Sequence, residues 1–316
     1  MKKVSILIPC YNSEKWVGET LDCCLRQTYS NIEVILVDDG STDKSLTIAR
    51  EYEKRDERIH VFSQPNSGGC RARNLAFEKS TGYYIKYLDA DDLMSDDMIE
   101  KQVKRLEENN DSLCVATCAW QEFWGTTNVN FRKRFIYKDY NDPIELLTDL
   151  WTKCEMFAVT CYLVPRQLVS LVGAWDERLT KNQDGEFFCR ILSKASKVLF
   201  CESPLFYYRR GHASVSTQNR LSPAKMQSAL DSRISYEKTI LPIRDTPIVR
   251  QGLALNYSIV MINSPINSKW FNEAQKRIYE LGEKPTHPTA KGIQKRIISF
   301  IGLTKYLQIK ELLKKH

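Results

Sequence analysis

Three carboxylates stand together in Leu88-Asp89-Ala90-Asp91-Asp92-Leu93, directly after the aromatic and apolar run that starts at Tyr83. Like charges this close repel, and burying them is costly without a counter-charge. A hard divalent cation with oxygen ligands, Mg²⁺ or Mn²⁺, supplies one by bridging carboxylates to a diphosphate. A solvated acidic turn accounts for the same residues, and Asp-x-Asp is common by chance.

Four further clusters could do chemistry. Val37-Asp38-Asp39-Gly40-Ser41-Thr42-Asp43 ends a buried run in two carboxylates, a glycine and a hydroxyl pair. It reads as a turn with a helix cap, or as carboxylates accepting hydrogen bonds from a nucleobase edge and ribose. In Pro65 to Asn74, paired glycines precede Arg71 and Arg73. Glycine lets backbone approach a ligand closely, and a helix N-terminus with arginines suits a phosphate or a base carbonyl. Trp175-Asp176-Glu177 and Asn182-Gln183-Asp184-Gly185-Glu186 place carboxylates at a helix start, as caps or as a general base toward an acceptor hydroxyl. His212, after Phe206-Tyr207-Tyr208-Arg209-Arg210-Gly211, could touch a metal or a phosphate, or be an ordinary packed residue.

The elements that must position these clusters follow from periodicity. Val4 to Ile8 and Glu33 to Val37 are continuous apolar runs, the pattern of strands buried on both faces. Ile59 to Phe62, Tyr83 to Leu88, Leu113 to Ala119, Phe157 to Val164 and Val198 to Phe200 are further strand candidates. Ser13 to Gln27 has helical spacing with Ser13 as a candidate N-cap, and Asp43–Lys54, Cys70–Lys79, a segment after Ser95, Ile144–Leu150 and Asp184–Ser193 also read as helices. Residues 128–142 read as a loop or lid. Alternating strands and helices imply a parallel sheet covered on both faces, with ligands bound beyond the carboxyl ends of the strands. The polar clusters of the first half fall mostly at those ends. After Arg220 the chain turns helical and basic, and from Lys291 to His316 isoleucines and leucines alternate with lysines in a basic amphipathic pattern.

Bulk properties narrow the class. The chain has 316 residues with 42% hydrophobic and 27% charged side chains, which describes a globular protein with material for a large core. At roughly 150 residues per domain, one large domain or two fit. The net charge of +7 suits an anionic partner without choosing it. Basic residues are dispersed, with no nucleic-acid-binding motif, which argues against nucleic acid as the partner. The ten cysteines include no Cys-x-x-Cys pair, and Cys10, Cys114, Cys118 and Cys189 sit among apolar neighbours, which fits buried free thiols in a reducing compartment. The N-terminus reads straight into a strand and no apolar run reaches the roughly 18 residues of a membrane span, so the expected location is cytoplasmic.

The combination of Ser5 to Asn12, Val37 to Asp43, Gly69 to Asn74 and Asp89-Ala90-Asp91-Asp92 resembles the inverting family 2 glycosyltransferases, over residues 3–215. That resemblance implies a glycosyltransferase A fold: a Rossmann-like α/β domain with a mixed central sheet over residues 1–215, followed by a helical accessory region over residues 216–316. It also implies roles by position. Pro9, Tyr11, Asp38, Asp39 and Arg71 would contact the nucleotide. Asp89 would hold ribose or, through water, the metal, and Asp91 would ligate Mn²⁺ or Mg²⁺ across the two phosphates, with Asp92 as helper and His212 as a further ligand candidate. Where the family has a Glu-Asp pair, this chain has Gln183-Asp184. Asp184 keeps the base position, while Gln183 and Trp175 would lie on the acceptor side.

The implied reaction is a metal-dependent, inverting transfer of a sugar from a nucleotide-diphosphate donor of the UDP-linked class to a hydroxyl of a glycan or a lipid-linked acceptor in cell-surface polysaccharide synthesis. The basic tail adds an anionic membrane surface as a candidate partner, on the inner face of the cell membrane. Two other readings compete. A sugar-nucleotide nucleotidyltransferase needs a glycine-rich basic loop after its first strand, where this chain has Cys10-Tyr11-Asn12-Ser13-Glu14. A non-catalytic sugar-nucleotide-binding protein has no need of Asp91 and Asp184.

Overall fold

The structure, a computed structural model of the chain, describes residues 1–109, 111–127, 131–211 and 222–313. The chain divides into two compact units. The first comprises Met1–Pro143, Phe157–Glu177 and Lys194–His212, and the second Ile144–Met156, Arg178–Ser193 and Ala213–His316. The expected boundary at 215–216 falls among residues outside the described set.

The first unit opens with β1 (Val4–Cys10), α1 (Val17–Leu25), β2 (Ile32–Asp38), α2 (Ser45–Arg55), β3 (Ile59–Ser63), α3 (Gly69–Lys79) and β4 (Tyr84–Tyr87). It continues through β5 (Leu93–Met94), α4 (Met98–Asn109), β6 (Cys114–Phe123), a 3₁₀ turn at Val159–Cys161, β7 (Val164–Pro165), α6 (Arg166–Val172) and β8 (Lys197–Arg209). The central sheet has the order β3-β2-β1-β4-β7, in which β7 alone runs antiparallel. This is the mixed α/β sheet expected. Every residue of β2 is buried, as is all of β1 except Pro9. That explains why their sequences read as unbroken apolar runs.

Glu33, the polar exception inside β2, is buried and fastens the amino ends of the strands. Its carboxylate accepts from Ser5 Oγ at 2.6 Å, Thr81 N at 2.6 Å and Gly82 N at 3.1 Å. Gly82 has no substitute there, because a Cβ would stand 2.6 Å from Ser5 N. Lys86 of β4 is also fully buried. Its ammonium donates to Gln102 Oε1 at 2.6 Å and to the Thr160 carbonyl at 2.7 Å, and burial pulls its pKa down to about 8. The lysine thereby joins the central sheet to α4 and the 3₁₀ turn.

A second sheet has the order β5-β8-β6, with β8 parallel to β6 across an irregularity between Cys118 and Ala119. Two local expectations are corrected in this unit. α1 begins at Val17 after Trp16, and Ser13 contributes its carbonyl to Trp16 N and Val17 N rather than a side-chain cap. Phe157 to Val164 is mostly irregular around a 3₁₀ turn at Val159–Cys161, with only Val164–Pro165 in a strand. The segment read as a loop or lid is a loop where it is described, from residue 131; Phe131 and Phe135 are exposed, while Ile136, Tyr137 and Tyr140 are packed down. Tyr137 stacks on Phe200 with ring centroids 5.0 Å apart, and its hydroxyl donates to the Trp120 carbonyl at 3.0 Å.

The second unit is helical: α5 (Pro143–Thr152), α7 (Gln183–Lys194), α8 (Pro223–Ile240), α9 (Pro247–Ile262), α10 (Lys269–Glu280), α11 (Gly292–Ile301) and α12 (Leu303–Leu312). Ser222 caps α8 by accepting from Lys225 N, with proline at the first helical position. Trp151 stacks on Tyr236 at 5.3 Å, and Gly252 leaves room for its indole. α11 and α12 meet at Gly302, whose φ of 82° breaks the helix. Nine cysteines are buried, and Cys154 is exposed. Among the described residues no helix is long and apolar enough to cross a membrane.

Candidate active site

Because β1, β2 and β4 are parallel, their carboxyl ends bring Tyr11, Asp38–Asp39 and the Asp89–Asp92 turn to one edge of the sheet. The two aspartates after β2 have different tasks. Asp39 is spent on architecture: Oδ1 accepts from Gln64 Nε2 at 2.7 Å and Ser67 N at 2.8 Å, and Oδ2 accepts from Gly68 N at 2.8 Å. It therefore fixes the loop that delivers the amino end of α3. Gly40 completes this close approach, since a Cβ there would lie 2.7 Å from Asn66 N. Asp38 is 1% exposed; its Oδ2 accepts from Ser41 N at 3.1 Å, while Oδ1 has no partner among the described residues. A buried carboxylate oxygen without a donor is a place where a ligand N–H or O–H is favourable. Pro9 precedes it at the end of β1 and the Tyr11 ring is exposed.

The loops after β1 and β2 are tied together. Asn12 adopts a φ of 48°, its Oδ1 accepts from Thr42 N at 2.8 Å, and its own N donates to Ser41 Oγ at 3.0 Å. These bonds fix the backbone next to Tyr11.

The acidic turn is held from two sides by buried arginines. Arg73 Nη2 donates to Asp89 Oδ1 at 2.8 Å, and its guanidinium lies 4.8 Å from the centre of the Trp175 ring. Arg209, at the end of β8, donates through Nε to the Asp91 carbonyl at 2.7 Å and through Nη2 to Glu19 Oε2 at 2.6 Å. Its backbone N donates to Asp92 Oδ1 at 2.8 Å, and its guanidinium sits between Trp16 and Phe123. Thr20 Oγ1 bonds the carbonyls of Ala90 and Asp92 at 3.1 and 3.0 Å. Burial, then Asp91 and Asp89, holds the Asp92 carboxyl well above the usual carboxylate range. The turn thus concentrates negative charge at its partly exposed members, Asp89 and Asp91.

Those two carboxylates fit a divalent cation that takes its remaining ligands from phosphate and water, the usual arrangement for Mg²⁺. Among the described residues no group of three or more His, Cys, Asp or Glu side chains could hold a metal alone. His212 lies outside the described residues.

Arg71, in the first turn of α3, is half-exposed and pairs with Glu177 Oε1 at 3.3 Å. Asn74 fastens the same segment, donating to the Trp175 carbonyl at 3.0 Å and accepting from Trp175 N at 2.8 Å. Trp175, expected on the acceptor side, is 3% exposed, and its ring lies edge-on to Tyr87. The indole supports Arg73 and presents no open face.

Asp184 and Gln183 belong to the second unit. Asp184 occupies the first turn of α7, and Gln183 Nε2 donates to the Leu179 carbonyl at 2.8 Å. Asn182, with a φ of 58°, donates to Tyr236 Oη at 2.6 Å and Ser232 Oγ at 3.1 Å. At Gly185 a Cβ would stand 2.1 Å from Tyr236 Oη. The turn carrying Asp184 is therefore clamped onto α8.

Sequence reasoning passed over Arg209, Glu19 and Trp16. The available signal was the pair Arg209-Arg210 after an aromatic strand, a cation next to no nearby acid in sequence.

The profile described as glycosyl transferase family 2 matches residues 5–167. An uncharacterized glycosyltransferase of Haemophilus influenzae is 32% identical over 219 residues, covering 69% of this chain and 83% of the relative. The chain belongs to glycosyl transferase family 2 and is a glycosyltransferase. The crystal structure of Staphylococcus aureus TarS 1–349 in complex with UDP-GlcNAc shares its fold, with a TM-score of 0.63 at 15% identity over 90% of this chain and 93% of that one. The mannosyltransferase PcManGT from Pyrobaculum calidifontis, in complex with GDP-Man and Mn²⁺, has a TM-score of 0.57 at 16% identity over 97% of this chain and 81% of that one.

Proposed function

We propose that this glycosyltransferase moves a sugar from a UDP-linked donor to an acceptor hydroxyl with inversion at the anomeric carbon, assisted by Mn²⁺ or Mg²⁺. The observation that carries this reading is the acidic turn, with Asp89 and Asp91 partly exposed at the sheet edge while Arg73 and Arg209 hold it from behind. The orphaned Oδ1 of Asp38 supports a nucleoside beside it, between Pro9 and Tyr11. Asp39 shapes that pocket by fixing the loop before α3.

In this reading Asp91, with Asp89, holds the divalent cation, and His212 is a further candidate ligand. When bound, the cation neutralises charge developing on the departing diphosphate. Arg71, beside the glycine loop, adds positive charge toward the nucleotide. Asp184 accepts the proton of the acceptor hydroxyl as that oxygen attacks from the face opposite the diphosphate, which turns an α-linked donor into a β-linked product. Gln183 lies next to the base on the acceptor side. Trp175 acts through Arg73. The single displacement needs no enzyme nucleophile.

The acceptor is a glycan or lipid-linked saccharide in surface polysaccharide synthesis, with the protein at the inner face of the membrane. Support for a membrane contact comes from α11 and α12. Ile293, Phe300 and Leu312 are 75%, 91% and 62% exposed among lysines, whereas Ile298 and Leu303 are buried. Basic residues around an apolar face suit an anionic lipid surface.

The deciding experiment is a panel of nucleotide-sugars with Mn²⁺, read by nucleotide release. Asp91→Ala is expected to abolish the Mn²⁺ dependence of UDP binding measured by titration calorimetry. An unchanged titration overturns the metal assignment.

A further inference from the structure

We infer that the second unit contains a binding site for a phosphate-type oxyanion, built around Arg233 of α8. Arg233 is buried, 8% exposed, and lines a cavity of about 60 Å³ together with Lys181, Asn263 and Ser264 against an apolar wall of Met226 and Val260. Nη1 donates to the Ala229 carbonyl at 3.2 Å and to Ser232 Oγ at 2.9 Å, while Nε has no partner among the described residues. No carboxylate pairs with Arg233 among the described residues, and none of the residues outside that set is Asp or Glu. Burial of the guanidinium lowers its affinity for the proton, and only Tyr236 and Tyr257 pull the other way.

A buried cation is stable when an opposite charge and hydrogen bonds meet it. Water in the cavity would leave the charge uncompensated. One water needs only about 10–15 Å³ of such space, so the cavity has room for a tetrahedral oxyanion. Arginine's planar fork matches phosphate oxygens, and Lys181, Ser264 and Asn263, whose amide also donates to the Ile259 carbonyl at 2.8 Å, make up the polar part of the lining. A group with several acceptor oxygens and more than one negative charge satisfies this set.

The site is joined to the turn ahead of Asp184. Ser228 Oγ accepts from Lys181 N at 2.9 Å and donates to the Lys181 carbonyl at 2.9 Å. Ser232 Oγ, the partner of Arg233, also accepts from Asn182 Nδ2 at 3.1 Å. An oxyanion bound here braces the segment that opens α7. Its source is either free phosphate or a phosphate ester carried by the acceptor.

The test uses the full chain without nucleotide or metal, so its failure leaves the transfer reading standing, and the reverse holds too. Inorganic phosphate and methyl phosphate are titrated calorimetrically against sodium chloride at matched ionic strength, with thermal unfolding as a second readout. Saturable phosphate binding and a rise in Tm are expected. Arg233→Met should weaken binding at least tenfold. Asn263→Asp, which sets a carboxylate on the cavity wall without removing the arginine, should do the same and guards against misfolding of the first variant. Binding of methyl phosphate as well as phosphate assigns an esterified source, and binding of phosphate alone assigns the free ion. A response equalled by chloride, or retained in both variants, overturns the proposal.

Discussion

At the scale of single residues, the site separates groups that meet a ligand from groups that hold those in place. Asp38 and Asp39 are neighbours with the same side chain, yet one keeps an orphaned oxygen and the other is consumed by Gln64, Ser67 and Gly68. Asp39→Asn should therefore disturb the loop before α3 and weaken nucleotide binding without touching the ligand directly. For the base, Asp184→Asn is expected to leave UDP-sugar binding intact and slow transfer by about 10²–10⁴-fold, checked by single-turnover kinetics against calorimetric donor affinity. Arg209 acts behind the acidic turn. Arg209→Met strips a buried guanidinium from Glu19 and the Asp91 carbonyl, and a loss of about 3–5 kcal/mol is the scale for breaking a buried charge pair; the exposed side of Glu19 places the expectation at the lower end. Urea unfolding measures that loss, and the UDP–Mn²⁺ dissociation constant, taken well below Tm, should rise at least tenfold. The acidic turn was legible in the chain because its residues are contiguous. Arg209 was not, because its partners Asp91 and Glu19 lie 118 and 190 positions away.

At the scale of elements, legibility followed burial. β1 and β2 are covered on both faces, so their sequences carry no polar alternation and could be read directly. β8 was recognised only near Val198 to Phe200, because beyond it Glu202, Ser203 and Pro204 interrupt the apolar pattern before the strand resumes. Phe157 to Val164 looked like a strand from its apolar content, but an irregular segment with a 3₁₀ turn at Val159–Cys161 buries the same side chains, and the turn's Thr160 carbonyl accepts from Lys86. Two predictions belong here. Glu33 is held below its ordinary pKa: burial works against the charged form, and the donors Ser5 and Thr81 outweigh it. A depressed carboxylate stabilises the fold above its unfolded pKa of about 4.3 and loses that contribution as pH falls through the folded value. Glu33→Gln should thus cost about 1.5–3 kcal/mol near pH 6, the scale of hydrogen bonds to a charged group, and progressively less toward pH 3, as followed by urea midpoints. At α7, Gly185→Ala forces a methyl group into Tyr236 Oη, which should displace the first turn and depress transfer. Adding Tyr236→Phe removes the obstructing oxygen and should restore part of the activity, a non-additivity read in a double-mutant cycle.

At the scale of the whole molecule, the exposed apolar residues of α11 and α12 predict behaviour that a folded core does not. Full-length protein should co-sediment with anionic liposomes more strongly than with neutral ones, and a version ending at Lys291 should lose the difference; equal sedimentation of both versions removes the membrane contact. The basic pattern of this segment was readable from residues alone, but its open outer face was not, because the same amphipathic spacing also fits a helix packed on a core. The distribution of thiols has a practical consequence. With Cys154 the one exposed cysteine, a maleimide dye should label the native protein once, slowly because partial burial and Glu155 raise that thiol's pKa. The remaining nine react only on unfolding. The wild-type chain thus comes ready for fluorescence work, with a single reporter on the helical unit and a built-in count of how much of the molecule has opened.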